Sequence, residues 1–245
     1  MKKMPSHRAM PVTLLLAAAS VATGCGGDQV TATPHRTAMA RGAAVADAEL
    51  DAYRSENVRF FNRFRMPGAL LVKPPRDLAA GARKATAVIV AEVADVRRTR
   101  VVGPSEARVP MTGVVLRPVE TLHGRLRPEL NEVVVEFLGE ATVDSPNPVA
   151  ALRASLPRGK SVWFLRWQGT PPNVSKPGAR PIPAESKAFY DVISLEGGMF
   201  TQGARTVVSP IAAESGDPAG PPTMRKDGER LRKLSELAKK VRALD

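Results

Sequence analysis

The chain has 245 residues, 43% of them hydrophobic and only 4% aromatic, which is enough apolar material for one good core or two small domains. It holds a single cysteine, so no disulfide framework supports it and apolar burial must carry its stability. Lysine and arginine number 36 against 24 aspartate and glutamate, a net charge of +12 that suits contact with anionic surfaces and excludes an acidic, solvating tail.

The N-terminus opens with Lys2, Lys3 and Arg8, then runs uncharged from Ala9 to Ala22 around Leu14-Leu15-Leu16, the layout of a signal peptide. This run of about fourteen apolar or small residues falls short of the roughly 20 needed to span a bilayer as a helix. Pro11 also counts against an uninterrupted helix. The run ends in Ala22-Thr23-Gly24-Cys25, which resembles the lipobox of bacterial lipoproteins. The resemblance implies removal of residues 1–24 by cleavage between Gly24 and Cys25, and fatty-acyl chains of the palmitate kind on the Cys25 sulfur. The product would be an extracytoplasmic protein of the bacterial cell envelope, anchored to membrane lipid. Two acyl chains hold stably where one binds only marginally. The alternatives are an ordinary secretory signal with a chance cysteine after the cut, or a buried N-terminal helix. Loss of Lys2, Lys3 and Arg8 leaves 33 basic residues against 24 acidic ones, a surface drawn to anionic head groups or wall polymers.

Residues 25–46 are Gly, Ala, Thr and scattered charge without a period, as in a flexible tether. A coil of that length spans about 25 Å. Residues 47–76 form a helical segment and linker. Leu50, Tyr53, Asn57, Phe61 and Phe64 recur at spacings of three or four, predicting a helix from Asp47 to Met66 that Pro67-Gly68 stops. Within it, Phe60-Phe61-Asn62-Arg63-Phe64-Arg65 either packs its phenylalanines on the core, the simpler reading, or dips into a head-group layer.

Residues 77–245 change character. A short helix is expected at Leu78 to Lys84, and then strands: Thr86 to Val96, apolar on both faces; Thr112 to Leu122, with Pro118 suiting an edge or a bulge; Asn131 to Leu138; Lys160 to Gln168; Phe189 to Leu195; and Arg205 to Ser209. Two long connections, Glu140 to Arg158 and Gly169 to Lys187, read as irregular. Leu231, Leu234, Leu237, Val241 and Leu244 make one stripe of a closing amphipathic helix from Gly228 to Leu244.

Several blocks stand in the order of a recurring extracytoplasmic domain: Ala85-Thr86-Ala87-Val88-Ile89-Val90-Ala91-Glu92-Val93, then Val119-Glu120-Thr121-Leu122-His123-Gly124, then Val133-Val134-Val135-Glu136-Phe137. Leu156-Pro157-Arg158-Gly159-Lys160-Ser161-Val162-Trp163-Phe164-Leu165 and Gly198-Met199-Phe200 follow. Together they resemble an OB-like barrel of the netrin or metalloproteinase-inhibitor type, with Ala91 where that family often has glycine and His123 where it often has lysine. The expected fold is mainly β with flanking helices: a small OB-like β-barrel of five to six strands, an N-terminal helix and a C-terminal amphipathic helix.

Catalytic motifs are missing from the sequence. It contains no G-x-S-x-G, H-E-x-x-H or C-x-x-C, and Gly81-Ala82-Arg83-Lys84-Ala85-Thr86 lacks the second glycine of a P-loop. Cleavage would leave only His35, in the tether, and His123 at a strand end. Glu120, Glu136, Asp144 and Asp191 fall on separate strands or loops. No catalytic residue, metal or cofactor is assigned. Trp163 and Trp167 share a strand face and are either core or a stacking platform, and Arg97, Arg98 and Arg100 are candidates for an anionic-ligand surface. The sequence thus predicts a non-enzymatic lipoprotein that binds an envelope protein or an anionic polymer, with no nucleic acid expected. The alternatives are an inhibitor or sensor of an extracellular hydrolase, and an envelope enzyme whose residues meet only in three dimensions.

Overall fold

The computed structural model describes residues 44–65, 73–139, 145–170, 181–212 and 220–244. Residues 1–24 with Gly24, Cys25 with its expected lipid, His35, Pro67-Gly68 and Asp144 lie outside the described residues. The described chain is mainly β. Its helices are α1 (Asp47–Leu50), α2 (Ser55–Asn62), α3 (Leu78–Lys84), α4 (Pro148–Arg153), α5 (Met224–Glu229) and α6 (Leu234–Arg242). The strands are β1 (Ala87–Val102), β2 (Val109–Gly124), β3 (Val133–Leu138), β4 (Ser161–Trp167), β5 (Tyr190–Val192), β6 (Met199–Gln202) and β7 (Val207–Val208).

The strand order is β1-β2-β3-β5-β4-β6-β7, and β4 also pairs with β1, from Ala87 opposite Leu165 to Ala91 opposite Ser161. All pairs are antiparallel except β3 with β5, which run parallel and meet at Val135 and Tyr190. The far edge of β4 is shared: β5 pairs with its last three residues and β6 with Val162 and Trp163. Pro118 sits at a bulge, since Val90 faces Glu120 while the next residue, Ala91, faces Pro118.

β1 explains why its sequence is apolar on both faces. Ile89, Ala91, Val93 and Val96 join Val114, Leu116, Val133, Val135, Trp163, Leu165 and Tyr190 in one core, against which Phe60, Phe61, Phe64 and Leu152 pack. Val88 and Val90 turn the other way, with Leu122, Val162, Phe164 and Phe200, into a second core closed by Leu78, Met224, Leu237 and Val241. Alternating side chains of one strand therefore serve two apolar layers.

Four expectations need correction. The helix expected from Asp47 to Met66 is two helices, because Asp51 leaves the first to bond another element and Arg54 is extended. The closing helix is also divided, at 230–233, where the Leu231 carbonyl accepts from the Val207 amide and the Arg232 carbonyl from the Gln202 side chain. The connection Glu140 to Arg158 contains α4, started by Asn147, whose side chain accepts from the Ala150 amide, with Pro148 at the first helical position. β6 was expected only as part of a glycine-containing block, and it is a strand. At its approach Gly198 has room only for hydrogen, since a Cβ there would lie 2.6 Å from the Ser194 carbonyl oxygen.

Candidate functional site

The two tryptophans have different fates. Trp163 is 0% exposed, edge-on to Phe61 with ring centroids 5.5 Å apart, and its indole N–H donates to the Ser161 hydroxyl at 2.9 Å. No face of that ring is open to a ligand, so Trp163 belongs to the core and not to a stacking platform. Trp167, at the end of β4, is half-buried. Its indole N–H donates to the Lys187 carbonyl at 2.8 Å, and the Arg127 guanidinium lies 3.9 Å from the ring centroid, covering one face. The Arg127 amide in turn donates to the Tyr190 hydroxyl at 2.8 Å.

The three arginines of β1 also part. Arg97 is at the surface and pairs with Glu132 at 2.7 Å, and Arg98 is exposed. Arg100 turns inward. Its guanidinium grips Glu136 of β3 with contacts of 2.8 to 3.2 Å, donates to the Ser186 hydroxyl at 2.7 Å and to the Gln168 side-chain oxygen at 2.6 Å, and lies 5.3 Å from the Phe189 ring centroid. The Glu136 side chain is 0% exposed, and Thr99 gives it a further hydrogen bond. Gln168 then bridges two carboxylates, donating to Glu136 at 3.0 Å and to Asp191 at 2.8 Å, while Arg166 donates to Asp191 at 3.2 Å.

The parallel pairing of β3 and β5 is what brings Glu136 and Asp191 to one place, since each follows a residue of the Val135–Tyr190 pair. Burial pushes the Asp191 carboxyl above the usual carboxylate range, against the opposing pull of the Arg166 hydrogen bond. Burial likewise pushes the Tyr190 phenol up. The arrangement ties β1, β3, β4, β5 and the turn at Ala184–Ala188 into one polar cluster with Trp167 and Arg127 beside it. Buried charges here are matched by arginine and amide partners, which a low-dielectric site requires.

Glu120 lies elsewhere. Its carboxylate accepts two bonds from Arg242 of α6, at 2.7 and 2.9 Å, and one from the Val45 amide at 2.9 Å. It is a clasp between β2, the last helix and the first described residues. His123 is opposite Val88 at the end of β2 and precedes Gly124, whose φ of +67° and 2.5 Å Cβ clearance to the Thr86 carbonyl oxygen restrict that position to glycine. A surface cleft between α3 and α5 is lined by Arg76, Asp77, Thr223, Lys226, Asp227 and Arg230, but Asp77 caps α3 and Asp227 accepts from the Leu78 amide and Lys240.

Sequence reasoning missed Gln168, Ser186, Arg127 and Arg242. Glu136 carried a readable sign: a lone carboxylate between Val135 and Phe137 in a valine strand needs a buried cationic partner. Among the described residues no three His, Cys, Asp or Glu side chains are grouped to hold a metal ion, and no helix is long and apolar enough to cross a membrane. No protein-family model, curated protein or solved structure matches the chain.

Proposed function

We propose that the chain is an exported lipoprotein held on a membrane through Cys25, and that its body is an OB-like barrel acting as a non-enzymatic binding module in the cell envelope. The barrel reading is supported by the cycle of pairings from β1 through β2, β3, β5 and β4 back to β1, with α4 inserted between β3 and β4 and packed on β1. A cycle of five strands with one parallel pair is consistent with the Greek-key plan of an OB-type barrel. The anchor reading is supported by the Ala22-Thr23-Gly24-Cys25 sequence after its basic and apolar lead.

Binding rather than chemistry is favoured by one observation above the others. Glu120, Glu136 and Asp191, carboxylates the sequence offers for proton transfer, each join separate elements of the fold through arginine or glutamine. Carboxylates committed to such bonds are accounted for by the fold without a catalytic role. The candidate contacts on this reading are Trp167, Arg97 and Arg98, taken singly, and the partner is an envelope protein or an anionic polymer.

Two experiments test the proposal. Cys25→Ser in the native host is expected to abolish fatty-acid labelling and to release the protein or leave it uncleaved; a processed, membrane-held variant refutes the anchor. Crosslinked envelopes purified through the full-length chain are expected to yield a partner that a chain ending at residue 46 does not, and whose capture weakens with Trp167→Ala. Identical recoveries from both chains refute the binding module.

A further inference from the structure

The positive excess of the chain is unevenly placed. On α6 and its N-cap each cation meets a carboxylate: Lys233, the N-cap, lies 3.9 Å from Asp51, Lys240 lies 2.9 Å from Asp227, Lys239 pairs with Asp47 and Arg242 with Glu120. That face is balanced. The face of α2 is different. Phe60, Phe61 and Phe64 turn into the core, so the intervening arginines are left on the outside.

Among the described residues the arginines of this face bond only to neutral groups. Arg59 donates to the Ser55 hydroxyl at 3.4 Å, Arg63 to the Ser155 hydroxyl at 2.7 Å and Arg65 to the Pro210 carbonyl at 2.9 Å. Arg59 and Arg63 are four residues apart and therefore share one side of the helix. The turn between α4 and β4 runs along the same helix, because Ser155 meets Arg63 and the Gly159 amide donates to Asn57 at 3.2 Å. Exposed Arg158 is part of that turn. The acids of this region are met by other cations: Glu56 lies 3.9 Å from Arg54, and Lys160, at the end of the turn, pairs with Glu49 at 2.9 Å and Glu92 at 3.2 Å.

We propose that this arginine face, built from Arg59, Arg63 and Arg158, is the surface by which the body docks on the anionic lipid of its own membrane. Guanidinium groups bind phosphate diesters through paired hydrogen bonds, and they lose little by leaving water. The proposal rests on the lipoprotein reading for its biological setting. An anchor at Cys25, twenty residues before Val45, would hold the body near a bilayer, so a contact too weak for a free protein would be populated.

The test needs no acyl chain. The mature chain carrying Cys25→Ser is mixed with vesicles of phosphatidylglycerol in phosphatidylcholine, with phosphatidylcholine vesicles, and with a single-stranded oligonucleotide. Binding is read by co-sedimentation, or by anisotropy for the oligonucleotide, at low salt and at about 0.5 M salt, where charge attraction is largely screened. Binding is expected only to anionic vesicles, and only at low salt. One arginine near an anionic surface is worth about fivefold in partitioning, so Arg59→Gln/Arg63→Gln/Arg158→Gln is expected to lower it about a hundredfold. An equal charge change among exposed cations elsewhere, Lys84→Gln/Arg205→Gln/Arg230→Gln, is expected to lower it far less. Unchanged melting temperatures confirm that both triples are folded. The proposal is overturned if the two triples weaken binding equally, if anionic vesicles are not bound, or if the oligonucleotide is bound more tightly and the first triple abolishes that. Anionic-vesicle binding with no fatty acid on native Cys25 refutes the anchor and leaves the docking face standing.

Discussion

Asp191 is the residue where folding and charge conflict most directly. It faces Gln168 and Arg166, shares its surroundings with Glu136 and Arg100, and has its carboxyl raised chiefly by burial. A carboxyl raised on folding binds its proton more tightly in the native state, so stability rises as pH falls through that raised value toward the ordinary one near 4. Asp47, Asp77, Glu92 and Asp95 are shifted the other way: hydrogen bonds from Lys239, the Ala80 amide, Arg117 and Arg153 respectively hold them low. Their stabilisation is lost only below the ordinary value, so the two windows do not overlap. Urea unfolding across pH is therefore expected to show a gain in stability just above the carboxylate range and a loss beneath it. Asp191→Asn should remove the gain and keep the loss, and a variant whose curve still rises on mild acidification would disprove the assignment.

The start of α6 shows what fixes an element when its own sequence does not. Three acceptors meet its first amides: Gln202 takes the Leu234 N–H at 2.8 Å, Asp51 takes the Ser235 N–H at 2.9 Å together with the Ser235 hydroxyl, and Glu236 reaches back to Lys233 at 3.4 Å. Two of the three come from distant parts of the chain. Replacing a capping carboxylate typically costs about 1 kcal/mol, so Asp51→Ala is expected to lower stability by about that much and to speed amide exchange over the first turn of α6. Exchange that stays as slow as in the parent chain would show that Gln202 and Glu236 suffice.

The same reasoning explains what was legible. β1 to β4 follow from valine-rich runs whose periodicity is local, and α3 follows from its length and its cap. The breaks at Asp51 and at 230–233 follow from bonds to α6, β6 and β7, which no window of sequence contains. β6 is short and owes its state to β4 and β7, whereas β7 lies inside the strand expected at Arg205 to Ser209. In the polar cluster the individual arginines and carboxylates were visible, but their grouping depends on a parallel strand pair between residues far apart in sequence.

Across the whole molecule the two ends of the described chain are joined at Glu120. Val45 is buried in the second core beside Leu50, Leu237 and Val241, and the Glu120 carboxylate holds both its amide and the Arg242 guanidinium. The pair is asymmetric, with Arg242 more exposed than Glu120. Removing the arginine strands a buried carboxylate, whereas removing the acid leaves a guanidinium that can reach water. Breaking a buried pair from the stranding side costs about 3 kcal/mol or more, so Arg242→Ala should destabilise the fold more than Glu120→Gln, which keeps an oxygen for the Val45 amide. In the double variant the stranded charge is gone, and part of the Arg242→Ala loss should be recovered. Thermal or urea unfolding of the four proteins supplies the cycle. Strictly additive losses would mean that the clasp contributes packing alone, and that the ends are held together by Val45, Leu50 and the α6 stripe without help from the charge.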